Sequence, residues 1–141
     1  MKRYRNQRGA ALVEAAITLP IILLISVGIF EFGRAFQTSQ VLTNAAREGA
    51  RLAILEGPTD ADVRARVQQY LAGGGLAALA DSNILVSRNV ALIGSATAST
   101  VQINYPFQFM VLNPVVRLVT PGDSQTGAPI TLTASTLMRN E

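Results

Sequence analysis

Arg8 to Arg34 reads RGAALVEAAITLPIILLISVGIFEFGR, and this stretch decides the architecture of the chain. Between Ala10 and Phe30 the only charge is Glu14. A helix over those 21 residues is about 31 Å long, the thickness of a bilayer's hydrocarbon core. The reading is therefore a helix able to span a membrane. Lys2, Arg3, Arg5 and Arg8 precede it and Glu31 follows it. That asymmetry places the N-terminus on the cytoplasmic side and the rest of the chain outside.

The remaining composition narrows the chemistry. The chain has 141 residues, no histidine and no cysteine. Disulfide frameworks, thiol nucleophiles, Cys/His zinc sites and histidine bases are thereby excluded. The only lysine, Lys2, lies in the leader, so a serine–lysine dyad in the outer part is excluded too. Asp60, Asp62, Asp81 and Asp123 fall at helix starts and turns, without spacing suited to acid–base work or a metal cage. The chain is read as no enzyme, with no cofactor, no metal and no small-molecule substrate. The net charge of +3 belongs to the leader, since beyond residue 9 eight basic side chains face nine acidic ones. A nucleic-acid partner is not expected from that balance.

Three kinds of N-terminal segment have a basic leader before an apolar run: a cleaved secretory signal, an uncleaved anchor, and a leader cut before the run. The first needs a small-residue, helix-breaking region after the run, and Phe30-Glu31-Phe32-Gly33-Arg34-Ala35 is not one. The third is marked by a short basic leader ending in glycine and a glutamate at the fifth residue beyond it. Arg8-Gly9 followed by Ala10-Ala11-Leu12-Val13-Glu14 fits that pattern. A carboxylate at a membrane-helix centre costs ~2.5 kcal/mol or more, so Glu14 belongs near the interface or beside a partner. In a helix starting at Ala10 it occupies the first turn, where negative charge is favoured, and in an assembly it can pair with a neighbour's freed α-amine.

These residues resemble the N-terminal signature of the TadE-like pseudopilin family, minor pilins of the tight-adherence (Tad, or Flp) pilus. The resemblance covers residues 8 to 53. It rests on RGAALVE, on Leu19-Pro20, on Glu31-Phe32-Gly33-Arg34 and on AAREGAR from Ala45 to Arg51, with Met138 to Glu141 similar to endings in the family. Ala15 stands where an aromatic usually follows the glutamate, which bears on cleavage efficiency and lateral helix packing. The resemblance implies processing by a prepilin peptidase between Gly9 and Ala10. It also implies insertion in a bacterial inner membrane, and a structural part in pilus assembly, initiation or the tip complex, supporting adherence. The partners it implies are that peptidase, other pilins and pseudopilins, the inner-membrane assembly platform and the lipid bilayer. The alternative is an uncleaved, membrane-anchored assembly factor or envelope binding module.

The chain divides into a leader (1–9), a transmembrane half-helix (10–30), its extracytoplasmic continuation (31–56) and a small α+β domain (57–141). No stop precedes Gly57-Pro58, so one helix is expected from Ala10 to about Leu55, ~69 Å if unbroken. Pro20 removes a donor to the Ala16 carbonyl and is expected to kink it. Ala45, Gly49 and Ala53 recur at i,i+4,i+8 and form a small-residue face for close packing, either of the outer domain or of another helix.

Thr59 and Asp62 have capping-box spacing, and Val63, Val67, Tyr70 and Leu71 trace one face of a helix over 60–72 that Gly73-Gly74-Gly75 ends. From Ile84 the period becomes two. One strand carries Ile84, Val86, Val90 and Leu92 with an irregularity near Arg88-Asn89; a second carries Val101, Ile103 and Tyr105; a third carries Ile130, Leu132, Ala134 and Thr136. Gly94-Ser95 and Pro121 to Ser124 supply the turns. The fold class is α+β: a long N-terminal helix, a short second helix and a small antiparallel sheet packed on the extended helix. The apolar stretch 107–119 either completes the small core or presents an apolar loop to another pilin.

Overall fold

The computed structural model describes residues 7–92, 96–119 and 128–140. The leader charges Lys2, Arg3 and Arg5, the turns Gly94-Ser95 and Pro121 to Ser124, and Glu141 lie outside the described residues. The chain is α+β as expected, with α1 (Gln7–Ala53), α2 (Asp60–Gly73), β1 (Ile84–Ala91), β2 (Thr97–Phe107), α3 (Leu112–Val119) and β3 (Ile130–Arg139). It forms two compact units: Met1–Gly33 with Phe109–Gly127, and Arg34–Gln108 with Ala128–Glu141.

α1 includes the residues from Gln7 to Gly9, ahead of the expected Ala10, and runs without interruption through Pro20. It ends at Ala53 rather than Leu55. The Leu55 N–H turns back to the Leu52 carbonyl, a tightened last turn that closes the helix ahead of Gly57-Pro58. Arg51 lies in that last turn, where a cation favours the helix terminus.

In the second unit, residues from Arg34 onward carry α2 and the sheet. α2 begins with the expected capping box. The Asp62 N–H donates to Thr59 Oγ1 at 3.3 Å, and the Thr59 N–H donates to Asp62 Oδ2 at 2.7 Å. Val63, Val67 and Leu71 are buried, whereas Tyr70, expected on the same face, is exposed. The buried row is Val63, Val67 and Leu71 at i,i+4,i+8, and Tyr70 falls at its edge. Past Gly73 and the C-cap Gly74 the chain reverses at Gly75, whose φ of +75° suits a residue without a Cβ, and the Leu76 N–H returns to the Leu71 carbonyl at 3.0 Å. Gln68 then holds the following loop, donating to the Leu79 carbonyl and accepting the Leu79 N–H.

The sheet is an antiparallel meander in the order β1-β2-β3. Ile84 pairs with Ile103 and Val86 with Val101; Ile103 pairs with Ala134 and Tyr105 with Leu132. The inward side chains meet Leu42, Ala45, Ala46 and Ala50 of α1 and Val63, Val67 and Leu71 of α2 in one core. Burying a leucine or isoleucine there contributes about 1.5–3 kcal/mol each. The irregularity expected near Arg88-Asn89 is a bulge between Ser87 and Val90, with Asn89 at φ 53°. In β3 the alternation is weaker than expected. Ala134 is buried, Leu132 and Thr136 are half-buried, and Ile130 is exposed.

The apolar stretch 107–119 divides in two. Phe107 closes the end of β2 and is buried, but Met110, Val111, Val115 and Val116 are exposed, so most of the stretch does not fill the core. Nor is it all loop: from Leu112 it is α3, in which Pro114 stands in the first turn, where a missing N–H goes unused.

Candidate functional site

Gly9, Ala10 and Glu14 lie near the start of α1 and are all exposed. The helix already runs across the Gly9–Ala10 peptide bond, so Glu14 is not in the first turn while residues 7–9 remain attached. A Cβ built on Gly9 meets nothing within 4 Å, as at Gly28 and Gly33. Packing within this chain therefore does not require glycine at position 9. Ala10 and Glu14 are separated by i,i+4 and share one helix face. Among the described residues, Glu14 makes no side-chain hydrogen bond or ion pair, which leaves its carboxylate available to a group outside this set.

Beyond Glu14, every residue to Ser26 is exposed, including Leu12, Ile17, Leu23 and Ile25. The helix is long and apolar enough to cross a membrane. Its polar groups suit that setting, since the Ser26 hydroxyl donates to the Ile22 carbonyl at 2.9 Å. Pro20 lies in the middle of this exposed run.

The small-residue face lies in the second unit and is closed. Ala45, Ala46, Ala50 and Ala53 are buried, as is Gly49. A Cβ added to Gly49 would lie 2.6 Å from Val67 Cγ2 and 3.3 Å from Val101 Cγ1. The i,i+4,i+8 spacing therefore admits α2 and β2 against the helix, and these positions offer no surface to a neighbouring subunit.

The charges on the same helix stretch are engaged. Arg66 bonds Glu48 at 2.7 Å, and Arg51 lies 3.7 Å from it. The hydrogen bond from Arg66 holds the Glu48 carboxyl below the ordinary glutamate range. Asp62 is likewise held low, by the hydroxyl and N–H of Thr59. Further on, Arg34 places its guanidinium over the Phe107 ring, 5.3 Å from the centroid.

Two residues that the sequence alone does not mark organise the end of α1. Arg88, on the bulge of β1, donates to Asp60 Oδ1 at 2.7 Å, the Ala53 carbonyl at 2.9 Å and the Pro58 carbonyl at 2.8 Å. Asn140 accepts from the Ser99 hydroxyl at 2.9 Å and donates to Asn89 Oδ1 and Thr97 Oγ1. The bulge is the available sequence signal for Arg88, because an irregular residue re-aims its neighbours. Asn140 lies within the C-terminal block noted for its resemblance. Around these side chains is a polar cleft also lined by Leu55 and Glu56. Of its polar lining groups, Asn89, Thr97, Ser99 and Asn140 bond to one another. Among the described residues, no cluster of three or more acids, histidines or cysteines could hold a metal ion.

Residues 9–51 match the model of the TadE-like protein family. No curated protein and no solved structure matches the chain. The match contains Gly9, Ala10, Glu14, Pro20 and the small-residue face up to Gly49.

Proposed function

We propose that the chain is a structural minor pilin, a pseudopilin, of a Tad-type pilus. The observation that carries this reading is the family match over residues 9–51, a span that includes Gly9, Ala10 and Glu14 and much of a helix long and apolar enough to cross a membrane. A prepilin peptidase cleaves between Gly9 and Ala10. Removal of the leader creates an α-amine at Ala10 and brings Glu14 into the new first turn. There the carboxylate favours the helix terminus and pairs with an amine, its own one turn away or a neighbour's. Pro20 loosens the helix within the apolar run, which helps it leave the bilayer for a filament.

The protein resides in a bacterial inner membrane with its N-terminus cytoplasmic, meets other pilins, pseudopilins and the assembly platform, and acts in assembly, initiation or the tip complex. The test is the N-terminal residue and intact mass of the membrane-extracted protein, made with and without its prepilin peptidase. A start at Ala10 only when the peptidase is present is expected. A start at Met1 or Lys2 in both cases refutes processing and favours the uncleaved assembly factor. Glu14→Ala is expected to leave the protein in the membrane but reduce its recovery in sheared filaments, and normal recovery would exclude the carboxylate from assembly.

A further inference from the structure

The first compact unit contains a segment, 109–119, that packs back on α1 just past its apolar run. Two contacts set its height. The Val111 N–H donates to Glu31 Oε1 at 2.7 Å, and the rings of Phe32 and Phe109 meet edge-on with centroids 5.8 Å apart. Glu31 is the first charge after Phe30 and is completely buried. The segment is thus tied to the residue at which the membrane-length run ends.

The direction of its apolar side chains is opposite to that of a soluble domain. Leu112, Val115 and Val116 recur at i,i+3,i+4, one face of α3, with Asn113 and Arg117 off that face. In a water-soluble fold this face would be covered. Here Met110 is 65% exposed, and Val115 and Val116 are 42% and 41% exposed. At the same level of α1, Ile29, Phe30 and Phe32 are also exposed. The exposed apolar surface of α3 continues that of the spanning helix.

We infer that α3 is an interfacial foot, lying in the headgroup region of the outer bilayer leaflet with its Val115-Val116 face toward the acyl chains. This rests on the reading that residues 10–30 span a bilayer. The occupant is lipid because the tether at Glu31 and Phe32 holds the face where lipid already surrounds the helix. An eight-residue amphipathic helix buries little area by itself, but its attachment to a spanning helix makes insertion an intramolecular event. The phenylalanines at the same level extend the belt of aromatic side chains found at membrane surfaces.

The absence of cysteine permits a direct test with the full-length protein in phosphatidylethanolamine–phosphatidylglycerol vesicles. Single-cysteine variants Val115→Cys, Leu23→Cys and Ala61→Cys are labelled with a polarity-sensitive fluorophore, and quenching is read with lipids brominated near the top or the end of the acyl chain. Val115→Cys is expected to emit to the blue of Ala61→Cys and to be quenched more by the shallow bromines, consistent with insertion of ~5–10 Å. Leu23→Cys is expected to be quenched more by the deep ones. If Val115→Cys matches Ala61→Cys while Leu23→Cys reports deep lipid, the foot is refuted and the spanning helix stands. A blue shift without bromine quenching means that protein, such as a second copy, covers the face, and overturns the lipid assignment. Loss of deep quenching at Leu23→Cys refutes the span itself and the foot with it.

Discussion

Replacing Arg88 by alanine removes the side chain that joins the end of α1, the start of α2 and the bulge of β1. A hydrogen bond from a charged donor contributes ~1.5–3 kcal/mol, and Arg88 makes two to backbone carbonyls. The third bond, to Asp60, is an ion pair whose acid is 44% exposed, so it adds only ~0–1 kcal/mol. Arg88 is itself partly exposed, and water can take over part of the freed carbonyl valence. The Ser99 hydroxyl, 3.5 Å from the Ala53 carbonyl, can take over little of it. The net loss is therefore set at about 2–3 kcal/mol, below the sum of the separate bonds. For a unit of this size each kcal/mol moves Tm by roughly 4–8 °C, so a fall of about 10–20 °C is expected. Thermal melts of the full-length protein in detergent, followed by near-ultraviolet circular dichroism of the tyrosines, measure it. Arg88→Lys keeps the charge but not the planar fork, and is expected to recover only a minor part of the loss. A Tm for Arg88→Ala within ~4 °C of the parent, or full recovery by lysine, would refute the assignment of Arg88 as a three-way clamp.

Gly49→Ala places a methyl group 2.6 Å from Val67 Cγ2. Overpacking of ~1–3 kcal/mol outweighs or cancels the ~1 kcal/mol gained in helix propensity, so destabilisation of ~0–2 kcal/mol is expected. In a Val67→Ala background the same change is expected to be less harmful or favourable, and simple additivity in the double-mutant cycle would show that the two do not touch. The depressed carboxyls of Glu48 and Asp62 contribute stability that is present above the ordinary carboxylate range and lost as pH falls below ~4 through their folded-state values. Melting the parent and Glu48→Gln/Asp62→Asn between neutral and acid pH tests this: the variant's acid limb should be flatter, and parallel curves would contradict it. Thr59→Ala removes the hydroxyl half of the capping box and is expected to cost ~1 kcal/mol, read in the same melts.

The membrane-length helix, the capping box, the three strands and the bulge are all legible in the linear chain because each depends on local periodicity or on a side chain bonding its own backbone. Gly9, Ala10 and Glu14 are legible for a related reason: they form a short local pattern that no tertiary contact is needed to recognise. Tyr70 is misassigned by period alone, since periodicity gives the rough direction of a side chain but not how far around the helix the covered face extends.

What the residue order determines by itself is therefore α1, α2 and the three strands but not α3, together with the long apolar run and the absence of histidine and cysteine chemistry. Only the tertiary structure decides which faces are covered. The spacing of Ala45, Gly49 and Ala53 is compatible with either a domain or a second helix, and the approach of Val67 and Val101 settles what packs there. Arg88 looks like an ordinary strand charge until chain reversal brings three acceptors from distant positions within 3 Å. The apolar stretch 107–119 reads as either core filling or an apolar loop, because hydrophobicity records a preference for leaving water, not the medium entered. Glu31, eighty positions away from Val111, fixes where that segment goes, and a contact of that range is invisible to any local pattern.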